Sequence, residues 1–410
     1  MNRSPVWISG VGAVSSAGAD VPSTLASFHA GVRHHSTTLP FQTTISCPTF
    51  QVTADVPALF GRNNTSRTLR LAMMAVREAL SHAGVDRFAP GTRVGVCMGT
   101  TIACQLNSLP FYAAYRRREN PPLDRVYDFL RTNLAQAIAD MLGVIGPRLT
   151  VANACSSGAD AIGVASSWIR AGLCDVAIAG GADEMYQVPV AGFWSLGVMC
   201  SQLCSPFDRD RSGLNLGEGA GVFILESEAY ARSAGRTYNF ELAGFGAASD
   251  AHHLTAPHPE GRGLDSAIRI ALAQANINTD RIAFINAHGT ATLDNDRTEG
   301  KVIQRLFGDT TPFLSTKGFT GHTLGAAGGL EAVFTLLGLR EGWISPSVGF
   351  QNPAADIPLA PVQERTPIDG DYALSTSLAF GGNNAAVIIR RRRADSHRFS
   401  LNLGTPHPRG

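Results

Sequence analysis

The chain has 410 residues, of which 44% are hydrophobic and 16% charged, enough apolar content for a sizeable core and incompatible with an intrinsically disordered protein. Thirty-four basic residues against 33 acidic ones leave a formal net charge of +1, so bulk attraction gives no reason to expect a nucleic-acid partner. The 43 glycines are neither periodic nor gathered in one tract, which excludes collagen and simple linkers.

Seven cysteines, Cys47, Cys97, Cys104, Cys155, Cys174, Cys200 and Cys204, are odd in number and irregularly spaced, with no C-x-x-C pair. That pattern argues against a disulfide framework and against structural zinc, and fits reduced thiols in a cytoplasmic protein. Met1–Gly10 lacks the apolar core of a signal peptide. No window approaches the roughly 18 uninterrupted apolar residues of a membrane span, so no membrane association is expected.

In chain order, Val6–Val11, Val94–Met98, Leu149–Ala152, Asp175–Ala179 and Gly221–Leu225 read as buried strands, each bounded by Gly or polar residues. Between them, Thr68–Ala83 and Ser157–Ala171 carry helical spacing and stop at Gly84 and Gly172. The second part repeats the grammar. Phe240–Phe245, Ile282–Asn286, Pro312–Ser315, Leu374–Ser377 and Ala385–Ile389 read as strands, and Gly263–Ala275 and Leu324–Arg340 as helices. This alternation predicts a largely parallel α/β fold.

The two parts share a plan. Each opens with Gly-x-Gly-Ala, at Gly10–Ala13 and Gly244–Ala247. Each closes with a glycine-rich turn and an apolar strand, at Gly217–Leu225 and Gly381–Ile389. We read an internal duplication, with halves 1–236 and 237–393 joined near Arg232–Thr237, and a flexible tail over 394–410.

Four segments could carry chemistry. Asn153-Ala-Cys-Ser-Ser-Gly158 lies after a strand and before a helix. Cys155 on that turn would present an exposed sulfur, and the helix N-terminus would favour its thiolate. Backbone N–H groups there could also face an oxyanion. Taken alone, a Cys among small residues is more often a buried small hydrophobe. Asn286-Ala-His-Gly-Thr-Ala-Thr292 and Ser315-Thr-Lys-Gly-Phe-Thr-Gly-His322 follow strands too, where α/β folds place their sites. One Cys and two His residues far apart in sequence are a poor zinc pattern. The fourth segment, Phe380-Gly-Gly-Asn-Asn384, precedes a strand, and its glycines would let backbone approach a ligand.

Together, Cys155 in NACSSG, His288 in NAHGTAT, Lys317 and His322 in STKGFTGHTLGAAGG, the AFGGNN turn and PFDRDRSGLNLGEGAG (Pro206–Gly221) resemble the β-ketoacyl-acyl-carrier-protein synthases. The subgroup is the elongating condensing enzymes with a Cys-His-His site. The resemblance runs from Val6 to Ile389. It implies the thiolase fold, two similar βα halves in a five-layer αβαβα arrangement, and a decarboxylative Claisen condensation.

The same resemblance assigns roles. Cys155 would be the nucleophile. The backbone N–H groups of Cys155 and Phe380 would form the oxyanion hole. His288 and His322 would face the malonyl thioester, and Lys317 would fix charge and orientation, with Glu331 and Glu299 as acidic partners. Phe380 would gate the acyl chain, with Gly381 and Gly382 as its hinge. Thr290 and Thr292 would hold the pantetheine arm, and Phe193 would line the acyl pocket with the residues near Gln105–Ser108. No cofactor is expected, since the substrates ride on the phosphopantetheine of acyl carrier protein. That partner is acidic, which makes Arg116, Arg117, Arg118, Arg62 and Arg67 the candidate docking residues. The expected assembly is a homodimer or a ketosynthase/chain-length-factor heterodimer.

Leu214, Leu293, Leu378, Ala379 and Asn383 depart from the commonest family pattern, and AFGGNNA resembles synthases of specialised polyene or aryl-polyene pathways. A degradative thiolase would want a second catalytic Cys near the C-terminus, whereas the last one here is Cys204.

Overall fold

The computed structural model describes residues 4–59, 66–101, 109–123, 126 and 133–392. The tail predicted over 394–410, Arg62 and the pocket segment 105–108 lie outside the described residues.

The first half contains β1 (Val6–Ser15), α1 (Val21–Ala30), α2 (Arg67–His82), β2 (Val94–Gly99), α3 (Leu109–Arg116), α4 (Leu134–Leu142) and β3 (Arg148–Val151). It continues with α5 (Ser157–Arg170), β4 (Val176–Asp183), α6 (Gln187–Ser195), β5 (Gly219–Ser227) and α7 (Glu228–Ser233). The second half contains β6 (Phe240–Ser249), α8 (Arg262–Ala275), β7 (Ile282–Asn286), α9 (Leu293–Phe307), β8 (Phe313–Leu314), α10 (Lys317–Thr320) and α11 (Ala327–Glu341). A short pair, β9 (Trp343–Ile344) and β10 (Thr366–Pro367), precedes β11 (Tyr372–Ala379) and β12 (Asn383–Arg391).

The long strands form one sheet in the order β3-β2-β4-β5-β1-β6-β12-β11-β7-β8. Read outward from the centre, β1-β5-β4-β2-β3 is matched by β6-β12-β11-β7-β8, so the second half repeats the first. The halves meet through a single paired register, Trp7 with Glu241. Helices α5 and α11 lie between the half-sheets, each touching strands of both. Helices α2 and α4 cover the outer face of the first half-sheet, and α8, with α9 beside it, covers that of the second. The result is five layers.

The expectation of a largely parallel sheet is corrected. Pairs β2–β3, β2–β4, β7–β11 and β7–β8 are parallel. Pairs β4–β5, β5–β1, β6–β12 and β12–β11 are antiparallel. Strands β4 and β5 are buried nearly end to end, and such runs look alike in sequence whichever way they point.

The two Gly-x-Gly-Ala segments have one physical cause. A Cβ on Gly10 or Gly12 would sit 2.0 Å from the carbonyl oxygen of Ala79 or Ala75 in α2. A Cβ on Gly244 or Gly246 would sit 2.2 or 2.0 Å from that of Ala271 or Ala267 in α8. In both halves, glycine is what allows the first strand to touch its outer helix. The central helices meet at their N-termini just as closely, a Cβ on Gly158 falling 2.7 Å from the Gly329 nitrogen.

Candidate active site

Three loop ends converge where α5 and α11 begin. Cys155 sits on a 3₁₀ turn, Ala154–Ser156, between β3 and α5. His288 follows β7, and His322 follows α10. All three line one cavity of about 270 Å³, together with Phe193, Thr290, Thr292 and Phe380.

Both imidazoles have fixed tautomers. Lys317 Nζ lies 2.9 Å from His288 Nδ1, and an ammonium can only donate. The Leu324 N–H donates to His322 Nδ1 at 3.1 Å. Each ring therefore carries its proton on Nε2. The ring centroids lie 5.2 Å apart at 88°. Burial pushes both pKa values well below 6.5, and the Lys317 charge pushes the same way. Both histidines are therefore neutral N–H donors, and neither is an acid.

Lys317 is 2% exposed. Besides His288 Nδ1, it donates to the His288 carbonyl at 2.7 Å and to Glu331 Oε1. Glu331 is buried on α11, and burial raises its carboxyl to about 7 against the pull of Lys317. Burial raises the Glu299 carboxyl and the Lys317 charge is among the influences that lower it, so the two interact by charge, while the Glu299 hydrogen bonds go elsewhere. Its carboxylate accepts the backbone N–H groups of His288 and Gly289, both at 2.8 Å, and the Thr376 hydroxyl at 2.7 Å. A carboxylate in the second turn of α9 thus holds the His288 loop in shape.

The picture of an exposed Cys155 thiolate is also corrected. The residue is 4% exposed. Burial pushes its thiol up to about 11, although the Lys317 charge and the Phe380 backbone N–H both pull it down. The helix N-terminus is present, but desolvation outweighs it. The Phe380 N–H bonded to sulfur is the donor that the sequence assigns to an oxyanion hole.

Phe380 stacks on Phe193 at 5.4 Å and 18°, and Phe193 in turn meets the His322 ring at 6.3 Å. The two glycines after Phe380 have φ of +88° and +81°, a backbone region that side-chain-bearing residues rarely enter. Gly381 N–H donates to the Leu254 carbonyl at 2.7 Å, and Asp250 N–H donates to the Gly382 carbonyl at 2.7 Å. The hydroxyls of Thr290 and Thr292 bond one another at 2.8 Å at the cavity wall.

Of the docking candidates, Arg116, Arg117 and Arg118 are exposed at the end of α3, with Arg117 paired to Glu119 at 2.7 Å. Arg67 is corrected. Its side chain is 30% exposed, and its guanidinium grips buried Glu218 at 2.6 and 2.9 Å and the Val52 carbonyl at 3.1 Å, so its charge is held by an internal ion pair.

Sequence reasoning missed Asp183 and Asp250. Asp183 is fully buried at the end of β4 and accepts from Thr100, Thr101 and Gly325. Asp250 ties the 250–263 loop to the Phe380 turn and accepts from Gly263 and His258. Asp250 lines the cavity and Asp183 holds the Gly325 turn, and only the strand order brings them there.

A half-repeated, five-layer α/β chain with one Cys and two neutral His residues at the abutting N-termini of its central helices is a thiolase-fold ketosynthase in architecture and in site. The comparisons agree. Residues 3–231 match the N-terminal domain of β-ketoacyl synthases and residues 239–351 their C-terminal domain, and the chain belongs to that family of acyltransferases. It is 33% identical over 348 residues to a 3-oxoacyl-[acyl-carrier-protein] synthase 2 of Staphylococcus aureus, covering 80% of this chain and 82% of that one. It is 39% identical over 340 residues to the Rhizobium meliloti protein of the same name, covering 78% and 80%. Among solved structures, the ishigamide ketosynthase/chain length factor superposes with a TM-score of 0.86 at 30% identity, over 95% of this chain and all of that one. The ketosynthase ApeO in complex with its chain length factor ApeC, from Xenorhabdus doucetiae, gives 0.82 at 31%, over 95% and 98%.

Proposed function

We propose that the chain extends acyl thioesters by decarboxylative condensation with malonyl carrier protein, Cys155 carrying the acyl group. In the first step the Cys155 sulfur attacks the carrier thioester. The carbon–sulfur bond to the carrier arm breaks, and the thiol proton leaves with that arm. In the second step malonyl thioester loses carbon dioxide, and the Nε2–H groups of His288 and His322 hydrogen-bond the enolate oxygen as charge develops. The enolate carbon attacks the acyl-Cys155 carbonyl, the carbon–sulfur bond breaks with its electron pair going to sulfur, the Cys155 thiolate takes a proton from water to regain the resting thiol, and the β-ketoacyl chain stays on the carrier. The thioester supplies the leaving group and decarboxylation supplies the carbanion, so the scheme calls for no cofactor.

One observation carries this reading: two neutral imidazoles with locked tautomers share a small cavity with a thiol. The Phe380 N–H passes from the resting sulfur to the thioester oxygen. Phe380 on its two-glycine hinge gates entry, Thr290 and Thr292 receive the pantetheine arm, and Phe193 bounds the acyl chain. Arg116–Arg118 contact the acidic carrier.

A second ketosynthase-like chain, identical or of the chain-length-factor kind, is the expected oligomeric partner. The solved relatives with chain length factors support this. So does strand β3, which forms the edge of the sheet with Leu149 exposed and Ile145 exposed just before it. We place the two thiolase-like halves at 1–236 and 237–393, and the protein in the cytoplasm, acting in fatty-acid or specialised polyketide or polyene elongation.

The test is intact-protein mass spectrometry after mixing with acyl carrier proteins bearing short, long, polyenoic and aryl chains, with Cys155→Ala as control. An acyl mass on the native protein that the variant lacks supports the reading and narrows the substrate. Equal labelling of Cys155→Ala refutes it.

A further inference from the structure

The duplication gives the Cys155 turn an internal counterpart. Ala154 has φ +51° and Leu324 has φ +55°, both in the left-handed region that L side chains avoid. Each opens a 3₁₀ turn that runs straight into a central helix, Ala154–Ser156 into α5 and Leu324–Ala326 into α11. By register, Cys155 corresponds to Gly325. The side chains around the two turns differ in kind. Asn153, Ser156, Ser157 and Asp160 surround the first, and Thr323, Ala326, Ala327 and Leu330 occupy the same places in the second.

Around Cys155 those four side chains form a closed web. Asp160 Oδ2 accepts from Asn153 Nδ2 at 2.6 Å and from Ser156 Oγ at 2.8 Å. Ser157 Oγ accepts the Asn153 backbone N–H at 2.8 Å and donates to the Ala154 carbonyl at 2.6 Å. The web therefore grips the residues before and after Cys155. The turn of the second half reaches the same backbone angle with an apolar side chain where Asp160 stands, so the shape does not require it. Asp160 is 8% exposed, and burying a carboxylate lowers stability unless something is gained elsewhere. Only the turn that carries a sulfur has the web.

We propose that Asp160 is a positioning residue that, through Asn153 and Ser156, fixes the direction of the Cys155 sulfur toward the incoming thioester. Asp160 does not line the cavity and touches no reacting atom. It acts on acyl transfer, where sulfur must be held about 3–3.5 Å from the carbonyl carbon and aligned with it. Malonyl decarboxylation depends on His288 and His322, which stand on other loops. Misplacing a reacting group by about 1 Å lowers rates by about 100-fold, which sets the scale of the effect.

The inference rests on Cys155 being the nucleophile, and the experiment separates the two. Asp160→Ala, Asp160→Asn, Ser156→Ala and Cys155→Ala are compared in two assays: acylation by octanoyl carrier protein, followed by intact mass, and carbon dioxide release from malonyl carrier protein. Asp160→Ala is expected to lower the acylation rate constant by about 10- to 100-fold with KM unchanged, and to affect decarboxylation much less. Asp160→Asn keeps an oxygen for both donors and is expected to restore most of the rate. Ser156→Ala, which removes one donor, is expected to fall between, and it carries the test if Asp160→Ala does not fold. An undiminished acylation rate in Asp160→Ala or Ser156→Ala, parallel loss of both activities, or no rescue by Asn overturns the proposal. Acyl labelling of Cys155→Ala would instead overturn the assignment of the nucleophile.

Discussion

Asp183→Asn is expected to stabilise the protein above about pH 6 and to do nothing at about pH 4. Asp183 ends β4, fully buried, and accepts from Thr100 Oγ1 at 2.7 Å, Thr101 N–H and Oγ1 at 2.9 Å, and Gly325 N–H at 2.7 Å. Even so, burial outweighs these donors and raises its carboxyl from 3.8 to about 6. At 1.36 kcal/mol per pKa unit the gap is about 3 kcal/mol. Below 3.8 the group is protonated in both folded and unfolded chains. As pH rises, the unfolded chain loses the proton first, so stability falls until the folded group ionises near 6 and is then lower by about 3 kcal/mol. An Asn keeps an oxygen for Thr101 and Gly325 and turns its amide toward the Thr100 hydroxyl, and it does not ionise. Urea unfolding at about pH 4, 6 and 8 reads the difference, expected near zero at the lowest pH and about 1–3 kcal/mol in favour of Asn at the highest. A constant offset across pH would refute the reasoning. The charge of Asp183 also raises the Cys155 thiol, so iodoacetamide alkylation of the variant should reach its half-maximal rate at lower pH.

Lys317→Met removes the donor that fixes the His288 tautomer and frees that ring to protonate nearer 6.5. Malonyl decarboxylation is expected to fall by about 100- to 1,000-fold, and its pH profile should gain an acidic limb that the native protein lacks. Arg67→Ala leaves the buried Glu218 carboxylate without its guanidinium. Because Arg67 is 30% exposed, the cost should be about 2–3 kcal/mol, below that of a fully buried pair, and a thermal melt should show it while KM for carrier protein is unchanged. Reversing Arg116, Arg117 and Arg118 to Glu is expected to do the opposite. It should raise KM for carrier protein several-fold at low salt with kcat and melting unchanged, and an unchanged KM removes that helix end from the docking surface.

Much of this site was legible because its residues are chemically conspicuous. Cys155, His288, Lys317 and Phe380 each stand beside small residues just past a strand, and His322 stands beside Gly321 just past α10, which are local signals. What local signals could not give is electrostatics. The thiol's upward shift needs the layer above it, and Glu299's grip on the His288 backbone needs the direction of α9. Arg67 looked like any surface arginine until the fold placed Glu218 beneath it. Strand direction failed for the same reason, since β4, β5, β11 and β12 are buried on both faces and their apolar runs carry no arrow. The repeated Gly-x-Gly-Ala succeeded because its cause, a helix carbonyl 2.0–2.2 Å from a would-be Cβ, acts within each half alone.

Deep burial sets the charge state of the cavity. The thiol is protonated, both imidazoles are neutral, and the Lys317 ammonium is turned away onto Glu331 and the His288 carbonyl, so the groups that face the cavity carry no charge. A malonyl carboxylate entering this site meets N–H donors and no imidazolium. A protonated histidine would bind the carboxylate tightly, and that attraction would be lost as carbon dioxide leaves, which stabilises the ground state more than the transition state. Neutral donors aimed at the thioester oxygen gain strength as the negative charge moves there from the carboxylate. On the proposed mechanism, burial first and the Lys317 charge second keep His288 uncharged. A site that let either ring titrate near 6.5 would bind malonyl groups better and decarboxylate them more slowly.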